Sequence, residues 1–479
     1  MEKMNAQLFE KKKRDIKVLQ FGEGNFLRAF VDYMIDIMNE RGTFDGDIVL
    51  VKPIEFGNLD LFKEQDYNYT VLLRGKGDSG EYIEKRVITS VADAVDSYGE
   101  YERYAAYAKL PSLRYIVSNT TEAGIVYDET DSIELNPPKS YPGKLTKFLY
   151  ERFTEFKGAS DKGLVMLPVE LIDDNGIMLK KCVMSQIKNW GLSAEFEKWV
   201  DECCIFTSTL VDRIVTGYPR TEAEKIWEDL GYEDKLLDTA EPFALWVIES
   251  AKDISEEFPL VKTGLPVIFT DNQKPYKQRK VRILNGAHTS FVLYSYLCGH
   301  DTVLESMQDE KIAGFMHDTI YNEIIPTLDL PKEDLLKFAD AVKNRFENPF
   351  IRHELLSIAL NSVSKWRARC LPSVIGYYNR FKKVPKNLAF SLAALIRFYS
   401  TDERGERSLI GHRGEGTYPI RDDAAVLDFF AANCKDEAKV LVDKYVEFEK
   451  DAFSKMDPQG LEEFKAAVTE GLEKLRAMA

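Results

Sequence analysis

The stretch Ile16-Lys17-Val18-Leu19-Gln20-Phe21-Gly22-Glu23-Gly24-Asn25-Phe26-Leu27-Arg28 predicts the fold of the first half of this chain. Its first six residues form a run typical of a short buried strand, and amphipathic spacing after the two glycines predicts a helix as far as Met38. A strand, a glycine turn and a helix start together make an anion site, because backbone N–H groups and the helix dipole converge there. We therefore interpret the turn as a candidate pyrophosphate site.

The glycine pattern by itself leaves a plain strand-turn-helix connection equally possible, because Leu27 stands where the usual dinucleotide fingerprint has a third glycine. A second strand, Asp47-Ile48-Val49-Leu50-Val51, follows at the spacing of a βαβ unit and favours a cofactor site. That strand runs into Lys52-Pro53 instead of the acid that would bind a ribose hydroxyl. This position therefore leaves both NAD and NADP open.

Three further strand-like runs, at 113–118, 163–168 and 204–207, alternate with helical stretches and indicate an α/β fold with a Rossmann-like, doubly wound sheet. Asn119-Thr120-Thr121 follows the first of these runs and is expected to face the cofactor. The residues that we expect to bind the cofactor are Leu19, Gln20, Phe21, Gly22, Glu23, Gly24, Asn25, Phe26, Leu27, Arg28, Asn119 and Thr120.

The second half of the chain has a different pattern. The run Pro266-Val267-Ile268-Phe269-Thr270 reads as a last strand, after which apolar residues recur at helical spacing almost to Ala479. We predict a dinucleotide-binding domain at 1–270 and a mainly helical substrate and catalytic domain at 271–479. Gly405 and the glycine-rich segment 411–416 are expected to form an exposed loop, with a lid as the alternative.

Composition narrows the possible partners and location. The 479 residues include 64 Lys and Arg against 79 Asp and Glu, a net charge of -15, which disfavours nucleic acid and anionic membranes as partners. The six cysteines contain no Cys-x-x-Cys pair, and no signal-peptide core follows the N-terminal basic residues. We expect a cytoplasmic protein. Its scattered histidines lack the spacing of metal ligands, so we expect no metal, and the oligomeric state stays open.

The segment Lys280-Val281-Arg282-Ile283-Leu284-Asn285-Gly286-Ala287-His288 holds three groups that can handle a proton and a carbonyl oxygen. In a helix, Lys280, Asn285 and His288 fall within one face. This set suits the metal-free interconversion of an alcohol and a ketone, with Lys280 as the acid/base and the other two as donors to the oxygen. The alternative is an ordinary helix start with a solvated lysine, a capping asparagine and a packed histidine.

Several ordered stretches resemble the polyol-specific long-chain dehydrogenases, also called mannitol dehydrogenases. The resemblance covers nearly the whole chain. The matching stretches are 20–30, Leu210-Val211-Asp212-Arg213-Ile214-Val215-Thr216-Gly217-Tyr218-Pro219, Lys274-Pro275-Tyr276 leading into the lysine segment, Asn348-Pro349-Phe350-Ile351 and Leu355-Leu356-Ser357-Ile358-Ala359-Leu360-Asn361. The resemblance implies that Lys280 is the acid/base and that Asn285 and His288 stabilise the oxyanion.

Two departures from the mannitol-type pattern favour one branch of that family. Leu171 stands where the mannitol-type enzymes have an asparagine, and the glycine turn lacks the histidine-containing form of the fructuronate reductases. Both differences favour the branch that reduces the ketouronate tagaturonate to the aldonate altronate with NAD, as in bacterial use of galacturonate. The resemblance implies a reaction in a cleft between the two domains.

The substrate's carboxylate needs cations, and Ser364-Lys365-Trp366-Arg367-Ala368-Arg369 offers three in an acidic chain. Lys365 and Arg369, four residues apart, are the pair we favour, because residues two apart point away from each other on a helix. A solvated helix face is the alternative. Asp212 and Arg213 begin a second polar patch, with Asp212 as a candidate partner for sugar hydroxyls.

Other functions remain open at this stage. Within the family, the chain could reduce fructuronate or oxidise mannitol. From a different class, it could be a nucleotide-binding regulator without turnover, although Lys280, Asn285 and His288 are all present, which disfavours that hypothesis.

Overall fold

The computed structural model describes residues 1–77, 80–120 and 124–478. The chain divides into two compact units. The first unit consists of Met1–Gly75 and Gly80–Gln273, and the second consists of Lys76–Ser79 and Lys274–Ala479.

A six-stranded parallel sheet organises the first unit. Its spatial order is Val91–Asp96, Asp47–Lys52, Ile16–Phe21, Tyr115–Ser118, Val165–Pro168 and Ile205–Phe206. Numbered along the chain, these strands lie in the order 3-2-1-4-5-6, which is the dinucleotide-binding arrangement. The predicted Rossmann-like, doubly wound sheet is therefore confirmed.

Both faces of this sheet are covered, because successive side chains of a strand point to opposite sides. Val18, Leu50 and Val117 belong to one buried apolar cluster, whereas Leu19 and Val49 belong to another. The α-helices of the first unit are Asn25–Leu27, Tyr33–Glu40, Asp60–Glu64, Tyr101–Ala106, Tyr141–Glu155, Asn175–Asn189, Ala194–Cys203 and Ala223–Leu230. A π-helix, Arg28–Asp32, joins the first two, and 3-10 turns lie at Tyr107–Lys109, Ser160–Lys162 and Leu260–Thr263.

The first unit also contains smaller sheets that the sequence analysis did not predict. A four-stranded sheet has the order Val215–Gly217, Asp238–Ala240, Tyr69–Gly77 and Gly80–Ile88, and Glu2–Lys3 pairs with Tyr232–Glu233. A three-stranded sheet has the order Ser208–Asp212, Leu245–Glu249 and Val267–Thr270. The strand predicted at 266–270 is thus present, but it pairs outside the six-stranded sheet.

The second unit is mainly helical, as the sequence pattern predicts. Its α-helices are Lys274–Arg279, Gly286–Leu297, Val303–Gln308, Glu310–Asp318, Lys332–Phe346, Leu355–Ile358, Ser362–Arg369, Leu371–Phe381, Lys386–Tyr399, Ala424–Asn433, Ala438–Phe448, Lys450–Phe453 and Pro458–Ala477. Lys280–Asn285 and Thr319–Ile324 are π-helical, and Ile325–Thr327 is a 3-10 turn. The expected loop at 411–416 is wrong, because Leu409–Arg413 and Gly416–Ile420 pair as an antiparallel hairpin.

Among the described residues, no helix has the length and apolar character needed to cross a membrane.

Two buried carboxyl groups lie in the first unit beneath the glycine turn. Asp32 is fully buried and accepts a hydrogen bond from the Tyr69 hydroxyl at 2.6 Å. Burial raises the pKa of Asp32 to about 7, and burial also raises the pKa of Asp238 to about 7. Arg28 is the cation that favours ionisation of both carboxyl groups. Because the ordinary aspartate pKa is near 4, the folded protein holds protons here that the unfolded chain releases.

The contribution of Asp32 and Asp238 to the stability of the protein should therefore fall as pH rises from about 4 to about 7. Below pH 4 both states are protonated, whereas above pH 7 the folded state bears the cost of buried negative charge. We expect Asp238→Asn to unfold at a higher urea concentration than the wild type at pH 8, by more than about 1 kcal/mol, with a smaller difference at pH 5. The same gain at both pH values would contradict a titrating Asp238.

Candidate active site

The lysine segment begins with a π-helical turn. Lys280–Asn285 is π-helical and leads directly into the α-helix Gly286–Leu297. A β-carbon added at Gly286 would lie 3.3 Å from the carbonyl oxygen of Arg369, so glycine lets this helix approach Ser362–Arg369 closely. Single π-turns within helices are frequent at functional sites. The predicted helix is present, and the π-turn sets the spacing between Lys280 and Asn285.

His288 is held in an apolar and cationic environment. Its ring stacks on Phe346 with centroids 4.1 Å apart and meets His353 edge-on at 5.2 Å. Burial lowers the pKa of His288 well below its usual value, and the nearby His353, Arg345, Arg369 and Lys365 lower it further. The imidazole is therefore neutral at pH 7. Its Nε2 atom is buried and has no hydrogen-bond partner within the described chain, which suits contact with a substrate oxygen.

Three cations, Arg345, Lys365 and Arg369, lie around His288; we call them the cation cluster. Lys365 donates to the carbonyl oxygen of Ile358 at 2.9 Å, and Arg369 donates to the Thr289 hydroxyl at 3.4 Å. Burial lowers the pKa of Lys365, and the charge of Arg369 lowers it further. Like charges held together in this way favour an anion between them.

The structure thus brings the predicted Lys365 and Arg369 to His288 and adds two residues that the sequence analysis missed. Arg345 is only 7% exposed, and His353 is partly buried against His288. In the sequence, Arg345 is an ordinary basic residue in the last turn of a helix, which is where cations are favoured in any case. Its part in the cluster depends on contacts between distant segments.

Arg367, on the same helix as Lys365 and Arg369, is exposed and forms an ion pair with Glu449 at 2.9 Å. This placement agrees with the expectation that only two of the three cations share a face.

The second predicted polar patch belongs to the first unit, where Asp212 and Arg213 are both buried. Arg213 donates to the carbonyl oxygens of Phe243, Ala29 and Pro242 at 3.0, 2.6 and 2.9 Å. Its guanidinium also lies 4.8 Å from the ring centre of Tyr33. These contacts occupy the Arg213 guanidinium within the packing of the first unit. We therefore favour the cation cluster, and not Arg213, as the carboxylate site. Asp212 stays a prediction.

The glycine turn has the geometry that its sequence predicts. Gly22 adopts a φ of +122°, and an added β-carbon would lie 3.0 Å from Leu27 Cδ1 and 3.3 Å from the carbonyl oxygen of Asn119. Only glycine is suited to such a position. Gly24 precedes the first helical residue, and an added β-carbon there would meet no atom within 4 Å. The space in front of this helix start is therefore open to a phosphate group.

The side chains around the turn mainly support it. Leu19, Phe21 and Leu27 are buried in the core, and Phe26 stacks on Phe30. Gln20 donates to the carbonyl oxygen of Gly22 at 3.3 Å. We infer that the backbone of the turn is the part available to a pyrophosphate.

Charged and polar side chains at the turn also contact one another. Arg28 donates to the carbonyl oxygen of Leu236 and to the Asn25 side chain. Burial raises the pKa of Glu23, while Lys52 and Arg28 nearby act to lower it.

Glu170 is a positioning residue that the sequence analysis missed. It is 2% exposed and accepts hydrogen bonds from the Thr120 N–H at 3.0 Å, the Thr120 hydroxyl at 2.9 Å and the Ser118 hydroxyl at 3.1 Å. Asn119 in turn donates its N–H to the carbonyl oxygen of Phe21 at 3.1 Å. Thr121 lies outside the described residues. In the sequence, the signal for this role was the acidic residue Glu170, two residues after the strand Val165–Pro168.

A cavity of about 780 Å³ lies beside the turn at the carboxyl ends of the parallel strands. Ile54, Val126 and Tyr127 line it although they are 55%, 54% and 38% exposed, an unusual exposure for apolar side chains. Thr120 and Ser140 add polar groups to its wall. A cavity of this size, with apolar walls at the point where the strand order reverses, fits the adenosine of a dinucleotide.

Lys52 occupies the strand end where an acid would otherwise bind ribose. It is 1% exposed, and its ammonium group donates to the carbonyl oxygens of Ile54, Glu55 and Phe56. It also pairs with Asp96 at 3.2 Å. The charge of Lys52 is thus already balanced inside the protein.

Within residues 1–77, 80–120 and 124–478, no three His, Cys, Asp or Glu side chains are grouped so that they could hold a metal ion.

Comparisons with known proteins identify relatives of both parts of the chain. The Mannitol dehydrogenase Rossmann domain matches residues 16–262, and the Mannitol dehydrogenase C-terminal domain matches residues 272–413. An "Altronate oxidoreductase" of Pectobacterium carotovorum is 48% identical over 90% of this chain and 88% of its own length. A protein of the same description from Escherichia coli O7:K1 is 47% identical over 89% of this chain and 87% of its own length.

Solved structures show the same fold. A substrate-free D-sorbitol dehydrogenase has a TM-score of 0.80 at 22% identity and covers 99% of this chain and 98% of its own. Pseudomonas fluorescens mannitol 2-dehydrogenase, solved with NAD and D-mannitol, has a TM-score of 0.64 at 23% identity, with coverage of 99% and 97%. Both domain matches and the identity to relatives across most of the chain confirm the predicted family: the chain belongs to the mannitol dehydrogenase family.

Proposed function

We propose that this protein is an NAD-dependent oxidoreductase that reduces the ketone of tagaturonate to the alcohol of altronate, in hexuronate catabolism. The observation that carries the proposal is the placement of neutral His288 among Arg345, Lys365 and Arg369. This placement puts a group that can bind a ketone oxygen next to cations that can bind a carboxylate. The relatives described as altronate oxidoreductases support the same substrate.

The chain's own residues manage the proton and the oxygen of the substrate. Lys280 donates a proton from its ammonium group to the substrate oxygen during reduction and takes it back during oxidation. Asn285 and the neutral His288 hold that oxygen as negative charge develops on it. When bound, the cofactor would supply the hydride as NADH during reduction and accept it as NAD+ during oxidation. These roles need no metal ion.

The cation cluster binds the other end of the substrate. An arginine fork and an ammonium group suit the two oxygens of a carboxylate, and partial burial strengthens the attraction. Burial keeps His288 neutral and the same cations add to this effect, so substrate binding and the oxygen contact share one arrangement of charges.

The state of Lys52 supports NAD as the cofactor. The 2′-phosphate of NADP needs an available cation near the ribose. Lys52 is instead buried, donates hydrogen bonds to three carbonyl oxygens and forms an ion pair with Asp96.

We also infer a small-molecule substrate in place of a nucleic acid partner, from the net charge of -15. A cytoplasmic location agrees with the six cysteines, all of which are free thiols.

Replacement of the acid/base should abolish turnover and spare cofactor binding. We expect Lys280→Ala to lower kcat for tagaturonate reduction by roughly 10²–10⁴-fold, because proton transfer is lost from the transition state. NADH affinity, measured by fluorescence titration, should stay near the wild-type value. Lys383→Ala, at an exposed position, is the control. Wild-type turnover in Lys280→Ala would reject the assignment.

The cofactor turn can be tested at its open glycine. Gly24→Val places a branched side chain where the pyrophosphate is proposed to pass, and no protein atom lies within 4 Å of its β-carbon. We therefore expect NADH binding to be lost while the urea unfolding curve stays close to that of the wild type. Gly314→Val, at a glycine with equally open surroundings, controls for the substitution itself. An unchanged NADH titration would place the pyrophosphate elsewhere.

The carboxylate site can be tested within one helix. Arg369→Ala should raise KM for tagaturonate about 10–150-fold, the loss of a charge-assisted contact of roughly 1.5–3 kcal/mol. Activity on fructose, which has no carboxylate, should change little. Arg367→Ala on the same helix is the matched control, since Arg367 pairs with Glu449 instead. An equal loss of activity on charged and uncharged substrates would mean that Arg369 has a structural role.

A further inference from the structure

Arg282 lies in the same π-helical turn as Lys280 but two residues further on, so its side chain leaves the opposite side of the helix. Its Nε donates to the Ser373 hydroxyl at 2.5 Å, and its Nη2 donates to the Thr327 hydroxyl at 2.8 Å. In the part of the chain that the structure describes, no carboxylate forms an ion pair with this guanidinium. Among the described residues, the hydrogen-bond partners of this partly buried guanidinium are therefore the neutral hydroxyls of Ser373 and Thr327.

This lack of a counter-charge is unusual for an arginine that is partly buried. Burial lowers the pKa of Arg282 to about 10, and the like charge of Arg380 acts in the same direction. Arg152 provides a comparison, because it is buried and forms no ion pair with an acid of the described residues. It donates, however, to four backbone carbonyl oxygens at 2.8–3.0 Å, whose dipoles offset its charge. Arg282 has no equivalent set of acceptors.

A cavity of about 760 Å³ adjoins Arg282. Three of the charged groups that line it are already paired, since Arg367 binds Glu449 and Asp329 binds Arg380. Besides Arg282, the exposed Lys455 is a lining cation that forms no ion pair among the described residues.

The remaining wall suits a hydroxylated molecule. Thr327, Gln278 and Asp451 offer hydrogen-bonding groups, while Ile375 and Phe448 form apolar surface. The volume lies within the range of small-molecule sites, about 300–1,000 Å³.

We propose that this cavity is a second, non-catalytic binding site for a sugar-sized, hydroxylated oxyanion, with Arg282 as its anchor and Lys455 at its rim. The oxyanion group, a phosphate or a carboxylate, lies against the Arg282 guanidinium and supplies the missing counter-charge. None of His288, Lys365 and Arg369 lines this cavity, so the site is separate from the substrate carboxylate site. Through Arg282, a bound ligand contacts the helical turn that carries Lys280.

Isothermal titration of the purified full-length protein tests the proposal with three probes: glucose 6-phosphate, gluconate and the neutral mannitol. We expect the wild type to bind at least one of the two anions and Arg282→Gln to bind it at least tenfold more weakly. Binding by glucose 6-phosphate identifies a phosphate site and binding by gluconate a carboxylate site. Gluconate binding counts for this cavity only if it survives Arg369→Ala, which separates it from the substrate site.

Lys455→Glu keeps the test decisive if Arg282→Gln fails to fold, because Lys455 is exposed and makes no ion pair with a described residue. This reversal of charge at the rim should weaken anion binding several-fold. Lys439→Glu, at an exposed lysine outside the cavity, should leave it unchanged. Absence of binding by both anions would overturn the proposal. Equal anion binding by the wild type and both cavity variants would also overturn it. The proposal would fail as well if mannitol bound as tightly as the anions.

Discussion

Parallel pairing of six strands is the constraint on which the first unit depends. Parallel strands are joined by crossover segments and need cover on both faces, which the alternation of Val18 and Leu19 into opposite clusters provides. The strand order reverses beside Ile16–Phe21, so the ends of this strand and of Tyr115–Ser118 open a crevice. Gly22 makes the turn there because any larger residue would meet Leu27 and the Asn119 carbonyl. The cofactor site is a consequence of this topology.

In the second unit, the candidate substrate site depends on the close approach of two helices, Gly286–Leu297 and Ser362–Arg369. Gly286 allows the helix that carries His288 to pack near the carbonyl oxygen of Arg369. That contact brings Lys365 and Arg369 to the imidazole, whose pKa burial and these charges depress. This packing contact therefore positions the carboxylate cations and adds to the burial that keeps His288 neutral. The π-helical turn that precedes this helix carries Arg282, which lines a separate cavity.

Much of this arrangement was predictable from residue types and spacing. The glycine turn, the parallel strands and the mainly helical second half depend on local patterns, because backbone geometry restricts which residues make a turn, a buried strand or a helix. The shared role of Lys280, Asn285 and His288 stays a prediction from the same kind of pattern. The i and i+4 spacing also identified Lys365 and Arg369 in preference to Arg367, and the exposed Arg367–Glu449 pair agrees with that choice. The segment at 411–416 was misread as a loop because its hairpin strands are short and rich in glycine.

The sequence by itself determined the family, the doubly wound sheet of the first half and the mainly helical second half. It also determined the candidate groups for proton transfer, since all of these depend on short-range geometry and on the chemistry of single side chains. Only the tertiary structure decided which charges are buried together. Glu170 meets Thr120 from 50 residues away, and Arg345 joins a histidine from a different helix. Arg213, which a motif made a candidate for substrate, is instead occupied by carbonyl oxygens of three distant residues. Electrostatic roles of this kind depend on distance and desolvation, and neither is encoded in the local pattern.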